Sequence, residues 1–219
     1  MSTPTANKRI IAVDLDDVLG DENGTVREFH NAVFGTTYTI DDYYKTEAPY
    51  WIFWDAVWQV DEGEAARRIA LYKEHKLTVD LPLIPGAVES LSILRKKFEL
   101  VIVTARGERF VDYTHRWLEK HFPDVFRNVH FVPLWQSDDE VTKALICREI
   151  GATYLIDDAP EHCRLAAEVG IEVLLWRLRM EPLGRTAEYG YESKKLDGSV
   201  AVFSWSSLIS IFVNELRYS

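Results

Sequence analysis

The chain has 219 residues, of which 47% are hydrophobic and 27% charged, and its formal net charge is −10 at pH 7. This length and composition predict a globular protein with one domain, or one domain carrying an insertion, and a substantial buried core. The negative charge argues against binding to nucleic acid polymers or anionic membranes, although a bound metal ion can attract a small anionic substrate.

The N-terminal sequence and the cysteines indicate the cellular compartment in which the protein is expected. "MSTPTANKR" lacks the apolar centre of a secretory signal, and no apolar run is long enough to span a bilayer. Cys147 and Cys163 both fall in segments with helical patterns and suggest no disulfide framework, which favours a reducing environment. We therefore expect a cytoplasmic protein.

The first predicted strand leads directly into acidic residues. In "RIIAVDLDDVLGD" the apolar run Ile10–Val13 predicts a buried strand, and Asp14, Asp16 and Asp17 follow it at once. Carboxylates crowded together repel one another and are costly to bury. A neutralising partner is therefore expected where this strand ends.

Residues 21–83 have a different pattern. The segments "TVREFHNAVFG", "TIDDYYKTE", "YWIFWDAVWQV" and "DEGEAARRIALYKEHK" are typical of helices, and no convincing strand interrupts them. We expect these residues to form a small helical cap inserted after the first strand, with residues 1–20 and 84–219 forming the core.

From residue 84 onward, strands and helices alternate. A helix after Pro85-Gly86 precedes the strand in "ELVIVTAR", and "VHFVPL", "ATYLIDD" and "IEVLLW" predict further strands. Helices are expected at about 139–150 and in "PEHCRLAAEVG", followed by a surface loop at 180–199 and a final helix near 206–216. Alternation of continuous apolar strands with helices predicts an α/β protein: a Rossmann-like three-layer core with a parallel sheet.

Polar residues follow three of these strands. Ligands bind at the carboxyl ends of strands in open α/β sheets, where Asp14 and Asp16, Thr104, and the pair Asp157 and Asp158 are expected. Lys143 begins the helix before the last of these strands. Several carboxylates without a zinc-type cluster of His and Cys favour Mg²⁺.

This order of motifs resembles the haloacid dehalogenase superfamily of phosphatases. The resemblance is carried by "IIAVDLDD", "VIVTAR", Lys143 and "YLIDD", and it covers roughly residues 8–20 and 84–176. Within the superfamily, "KALICREIGATYLIDDAPEHC" is most similar to the branch of the type C 5′(3′)-deoxyribonucleotidases. The resemblance implies a Mg²⁺-dependent phosphatase that acts on a small phosphorylated substrate.

The resemblance also implies roles for individual residues. Asp14 would be the nucleophile that becomes an aspartyl-phosphate, and Asp16 would protonate the leaving oxygen and later activate water. The metal ligands would be Asp14, the backbone carbonyl of Asp16 and Asp158, with Asp157 supporting them without direct ligation. Thr104 and the backbone of Ala105 would hold phosphoryl oxygens, and Lys143 would offset their charge.

Other residues leave alternatives open. Asp17 is expected to have a turn or capping role, and Arg106 either contacts substrate or pairs with Glu108. Trp51 and Trp54 either line a substrate-binding wall or pack the cap. His30 is expected at the surface or in the core.

Four other functions compete with this one. A sugar-phosphate phosphatase or a phosphotransferase would carry the same motifs. A two-component receiver also uses acids, Thr and Lys around Mg²⁺, but its motif order is reversed and it has no cap. A non-catalytic interaction protein on this scaffold would be favoured by a missing motif acid, and none is missing.

Overall fold

A computed structural model describes residues 8–40, 42, 53–132, 142–176, 199–202 and 204–213. The chain forms two compact units. The core unit comprises Met1–Leu19 and Pro85–Ser219, and the helical unit comprises Gly20–Ile84.

The elements alternate between strands and helices in the core unit. In chain order they are β1 (Ile10–Val13), α1 (Glu22–Phe34), α2 (Phe53–Trp58), α3 (Glu62–Lys73), α4 (Ala87–Leu94), β2 (Glu99–Thr104), α5 (Val111–His121), β3 (Asn128–Phe131), α6 (Lys143–Glu149), β4 (Ala152–Asp157), α7 (Pro160–Glu168), β5 (Glu172–Trp176), β6 (Ser199–Val202) and α8 (Trp205–Ile211). Short 3₁₀ turns lie at Lys76–Thr78 and Glu108–Phe110. None of the helices in the described ranges combines the length and apolarity needed to cross a membrane.

The strands form one parallel sheet in the order β3-β2-β1-β4-β5-β6. Successive residues of a strand point to opposite faces, so full burial of Val101, Ile102 and Val103 in β2 shows that both faces are covered there. On one face, Cys147 of α6 and Cys163 of α7 belong to the same buried cluster as strand residues. The predicted α/β class with a parallel sheet is confirmed.

Helix α8 covers the sheet through aromatic contacts. Its Trp205 packs on Trp176 of β5 with ring centroids 5.0 Å apart, and its indole Nε1 donates to the carbonyl of Val18 at 3.3 Å. Phe212, just beyond the helix, contacts Tyr154 and Phe98 edge-on at 5.1 Å. The C-terminal helix is therefore a packed part of the core unit.

Two elements differ from the sequence prediction. Strand β6 was not predicted, since "IEVLLW" was expected to be the last strand; the four residues Ser199–Val202 extend the sheet by pairing with β5. The final helix is Trp205–Ile211, slightly before its expected start. The predicted loop at 180–199 lies almost wholly outside the described residues.

The helical unit has its own small core. Val26, Phe29, Val57, Trp58 and Tyr72 are buried together in it. Asp21 caps the N-terminus of α1, and its carboxylate accepts from Gly24 N at 2.8 Å; Asp61 caps α3 in the same way by accepting from Glu64 N. As the sequence predicts, the described part of this segment contains no strand of its own, apart from an isolated antiparallel bridge between Gly20 and Leu83.

His30 lies in this core as a neutral side chain. Because Arg68 has only donors, its Nη1 must donate to His30 Nε2 at 2.9 Å, and His30 Nδ1–H then donates to Thr36 Oγ1 at 2.9 Å. The imidazole is fully buried and stacks on Trp58 with centroids 4.4 Å apart. Burial, together with the Arg68 charge, lowers the pKa of His30 to about 4.

We expect His30 to make the stability depend on pH. Its pKa in the folded chain lies below the ordinary value, so the unfolded chain takes up the proton first as the pH falls. The contribution is full above about pH 6.5 and is lost towards pH 4, amounting to roughly 3 kcal/mol. Denaturant unfolding between pH 4 and 7 should show a shallower pH dependence for His30→Gln than for the wild type.

The exposed His115 on α5 provides the matched control. His115→Gln should keep the wild-type pH dependence of unfolding. If His30→Gln retains the full wild-type slope, the buried imidazole is not its source.

Candidate active site

The site lies at the carboxyl ends of three neighbouring strands. Strand β1 pairs in parallel with β2 on one side and β4 on the other, so residues that follow these strands share one edge. The backbone continues this pairing past β1, because Asp14 N donates to Ile156 O at 2.9 Å. The motif residues that the sequence places after these three strands therefore come together.

Asp14, Asp157 and Asp158 form a buried acidic cluster, and one lysine contacts two of its members. One carboxylate oxygen from each acid lies within 4.8 Å of the others. Lys143 Nζ contacts Asp14 Oδ1 at 2.9 Å and Asp157 Oδ2 at 2.7 Å. Lys143 is only 2% exposed, so its ammonium is held by carboxylates rather than by bulk water.

The local sequence explains how Lys143 reaches the acids. Thr142 caps α6 by accepting from Leu145 N at 3.2 Å, which makes Lys143 the first residue of the helix. After β4, Asp157 Oδ1 accepts from Ala159 N at 2.9 Å. Both oxygens of Asp157 are thus engaged by the protein itself.

Burial and the lysine set the protonation of these groups. Burial raises the pKa of Asp14 to about 6, Lys143 opposes this rise, and Asp157 and Asp16 add to it. Burial also acts to raise the pKa of Asp157, but the Lys143 ammonium and the His162 side chain hold it at about 2. Burial alone would lower the pKa of Lys143; the two carboxylates raise it above its ordinary value.

Thr104 ends β2 inside the protein. Its side chain is fully buried, and its Oγ1 accepts from Arg106 N at 3.3 Å, while Ala105 between them is half-buried. The Asp17 backbone has a φ of 57°, a left-handed conformation typical of turns, in agreement with the turn role expected for it.

Arg106 binds an acid that the sequence did not indicate. Its Nη2 donates to Asp16 Oδ1 at 2.6 Å, and its Nε lies 3.1 and 3.0 Å from the two oxygens of the same carboxylate. The expected alternatives were substrate or Glu108. No local signal identifies Asp16, which lies 90 residues away in the chain.

Other site residues are placed as follows. Trp54 stacks on Trp58 within the helical unit at 5.2 Å, so a packing role is established for it and substrate binding stays a prediction. Trp51 lies outside the described residues. The sequence also missed His162, whose Nδ1 lies 3.4 Å from Asp157 Oδ1 on the first turn of α7.

The acidic cluster fits a hard divalent cation. All three donors are carboxylates, and the charge of Lys143 balances only one of them. Oxygens bound to one Mg²⁺ lie within roughly 4 Å of one another, because each Mg–O distance is about 2.0–2.1 Å. The carboxylate oxygens of Asp14, Asp157 and Asp158 lie within 4.8 Å of one another, which is close to this range.

Comparisons with known structures agree with this fold. A haloacid dehalogenase-like protein from Agrobacterium tumefaciens matches with a TM-score of 0.64 and 14% identity, over 96% of this chain and 100% of that one. One from Streptococcus pneumoniae matches with a TM-score of 0.60 and 14% identity, over 94% and 98%. One from Bacillus subtilis, bound to magnesium, matches with a TM-score of 0.57 and 14% identity, over 95% and 100%.

Comparison by sequence narrows the assignment from a fold to a family. No curated protein matches the chain. The family model described as "5′ nucleotidase, deoxy (Pyrimidine), cytosolic type C protein" matches residues 8–175, which include the sheet strands β1 to β4 and the acidic cluster. The chain therefore belongs to this family of cytosolic type C 5′-nucleotidases, within the haloacid dehalogenase superfamily of phosphatases.

Proposed function

We propose that this protein is a Mg²⁺-dependent phosphomonoester hydrolase that works through an aspartyl-phosphate on Asp14. One observation carries the proposal: Asp14, Asp157 and Asp158 lie together at the carboxyl ends of β1 and β4, and Lys143 contacts Asp14 and Asp157. This is the arrangement that in-line attack by a carboxylate on a phosphate ester requires, because the negative charges of both partners must be offset.

In the proposed reaction, two displacements at phosphorus follow each other. A carboxylate oxygen of Asp14 attacks phosphorus and the ester P–O bond breaks, while the Asp16 carboxyl gives its proton to the leaving oxygen. Water then attacks the same phosphorus and gives a proton to Asp16, and the bond from phosphorus to Asp14 breaks. The products are an alcohol and inorganic phosphate, and both aspartates return to their starting state.

The other residues prepare this chemistry. Lys143 holds Asp14 in place and offsets charge on the phosphoryl oxygens, and Thr104 and the Ala105 backbone hold those oxygens. Asp14 and Asp158 would ligate Mg²⁺ together with the backbone carbonyl of Asp16, while Asp157, engaged by Lys143 and Ala159, would support them. A bound Mg²⁺ would polarise the phosphoryl group and lower the repulsion between the acids.

A nucleoside monophosphate is the leading substrate. The support is the family's own description, which names deoxy pyrimidine nucleotides, together with the many aromatic residues of the helical unit. In this proposal residues 21–83 act as a cap that excludes water and selects a small substrate. Cys147 and Cys163 are free and form no disulfide, in keeping with activity in the reducing cytoplasm.

An assay with a substrate panel tests the function. Thymidine 5′-monophosphate, other nucleoside monophosphates, glucose 6-phosphate and p-nitrophenyl phosphate are incubated with Mg²⁺ or with EDTA, and phosphate release is measured. We expect turnover with Mg²⁺, none with EDTA, and recovery when excess Mg²⁺ is added back.

The outcomes separate the parts of the proposal. Inactivity on every ester under both conditions contradicts the hydrolase function. Equal activity with EDTA contradicts only the role of the metal. A preference for glucose 6-phosphate over every nucleotide contradicts only the nucleotide substrate, and phosphate transfer to an added alcohol in place of release would identify a phosphotransferase.

A further inference from the structure

Arg106 and Asp16 form a two-point ion pair at the candidate active site. Asp16 lies two residues after Asp14, in the loop that follows β1. Arg106 lies two residues after Thr104, in the loop that follows the neighbouring strand β2. The guanidinium contacts both carboxylate oxygens at 2.6 to 3.1 Å. A fork of this kind restricts the plane of the carboxylate as well as its distance, which a single ammonium contact does not.

The guanidinium is itself anchored by the protein. Arg106 Nη1 lies 3.4 Å from Oγ1 of Thr114, a fully buried residue of α5. The Phe110 ring lies beside the guanidinium, with its centroid 5.9 Å away. The Arg106 side chain is 7% exposed, against 20% for Asp16, so the arginine is the fixed partner and the aspartate is the one that faces outward.

These contacts leave Arg106 poorly arranged to bind substrate. Nε and Nη2, which form the edge that would grip a phosphate in a two-point contact, both point at Asp16. Nη1 is turned towards Thr114. An arginine that served mainly as a phosphate clamp would present one of these edges to the site.

We infer that Arg106 is a positioning residue that orients the Asp16 carboxyl towards the leaving oxygen of the substrate. The inference rests on the proposed function, and it assigns Arg106 a role in proton transfer in place of the two alternatives that the sequence left open, a substrate contact or a pair with Glu108. In this step Asp16 is the carboxylic acid protonated on Oδ2, and its Oδ1 still accepts from Arg106 Nη2 and Nε. The proton passes from Oδ2 to the leaving oxygen as the ester P–O bond breaks, and Arg106 neither gains nor loses a proton.

The leaving group provides the test. An alkoxide is a strong base that needs a proton as it departs, whereas p-nitrophenolate is a weak base that leaves without one. We expect Arg106→Gln to lower kcat/KM about 100-fold for thymidine 5′-monophosphate, or for glucose 6-phosphate where that is the better substrate. For p-nitrophenyl phosphate the loss should stay below about 10-fold.

A clamp or a folding defect gives a different result. Loss of a phosphate contact, or of folded enzyme, lowers kcat/KM by the same factor for both esters. Equal losses therefore overturn the inference, and so does unchanged kcat/KM. An inactive wild type overturns the proposed function and this inference together, whereas an active wild type with equal losses overturns the inference alone.

Two further variants keep the test decisive. Arg106→Lys retains the charge and most of the packing but cannot form the fork, so it should show the same leaving-group selectivity if Arg106→Gln fails to fold. In the Asp16→Asn background, Arg106→Gln should cause no additional selective loss, because its target is already removed. An additional selective loss there contradicts a role through Asp16.

Arg109 supplies the matched control. It lies in the same loop, is exposed, and has its guanidinium 4.8 Å from the Phe110 ring centroid. Arg109→Gln should leave kcat/KM for both esters within about twofold of the wild type, in keeping with the small effects of surface changes. If Arg109→Gln lowered kcat/KM more for the alkyl ester than for p-nitrophenyl phosphate, the positive charge of the loop would control the proton transfer, and not the two-point contact of Arg106 with Asp16.

Discussion

Asp14→Asn should abolish phosphatase turnover and leave the folded protein as stable as the wild type, or more stable, at pH 7 to 8. Activity falls by at least roughly a thousandfold, because an amide cannot form the acyl-phosphate and no other acid occupies its place. The effect on stability comes from burial, which raises the pKa of Asp14 to about 6.

The sign of the stability effect follows from that pKa. The folded chain binds this proton more tightly than the unfolded chain, so the protonated carboxyl favours folding below about pH 4, and this advantage is lost as the pH rises through about 6. At pH 7 to 8 the wild type carries the cost of a buried, ionised Asp14, and asparagine does not. The gain in stability of Asp14→Asn should therefore shrink as the pH is lowered from 8 to 4.

Unfolding by denaturant at several pH values, with phosphate release measured on the same samples, checks both parts. Asp112→Asn, at an exposed position of α5, is the control and should change neither quantity. Substantial remaining activity in Asp14→Asn would assign the nucleophile to another residue. A large loss of stability at pH 8 would show that the contact with Lys143 outweighs the cost of burying the carboxylate.

Lys143→Met should destabilise the protein by about 3–5 kcal/mol and remove its activity. Lys143 is almost wholly buried and contacts Asp14 at 2.9 Å and Asp157 at 2.7 Å. Removing one partner of a buried ion pair leaves the other charges uncompensated in a poorly solvated site. The methionine fills the space of the lysine stem, so the loss reports on charge more than on packing.

Two measurements separate charge from packing. Added Mg²⁺ should raise the unfolding temperature of Lys143→Met more than that of the wild type, because the dication replaces the missing compensation. Adding Asp157→Asn to Lys143→Met should recover part of the lost stability, since it removes one unpaired carboxylate. Lys96→Met, at an exposed position, should stay within about 0.5 kcal/mol of the wild type. A loss of under about 1 kcal/mol in Lys143→Met would contradict the compensating role.

Much of the core unit follows from local patterns. Strands β1, β2 and β4 are continuous apolar runs that end directly in polar residues, so both the strands and the position of the acids at their tips are visible in the sequence. Strand β6 is different. Ser199–Val202 is too short to stand out, and it is a strand because the edge of β5 offers unpaired backbone groups to it.

The contacts of the site likewise divide into those that the sequence indicates and those that depend on the tertiary structure. The motif order indicated that Asp14, Asp158, Thr104 and Lys143 belong to one place. The sequence did not indicate the partner of Arg106, because both Asp16 and Glu108 are acids that it could reach. The choice between them depends on the conformations of the loops that follow β1 and β2. Likewise, the burial of His30 depends on Trp58 and Arg68, which belong to other helices.

The sequence by itself determined the class of fold, the order of the motifs and the chemical types gathered at the carboxyl ends of the strands. Apolar runs and motif spacing are local properties that the chain carries before it folds. Only the tertiary structure decided that Lys143 contacts both Asp14 and Asp157 and that Arg106 forms an ion pair with Asp16. These choices depend on separations of a few tenths of a nanometre between residues far apart in the chain, which are set when the sheet orders its strands and the helices pack against it.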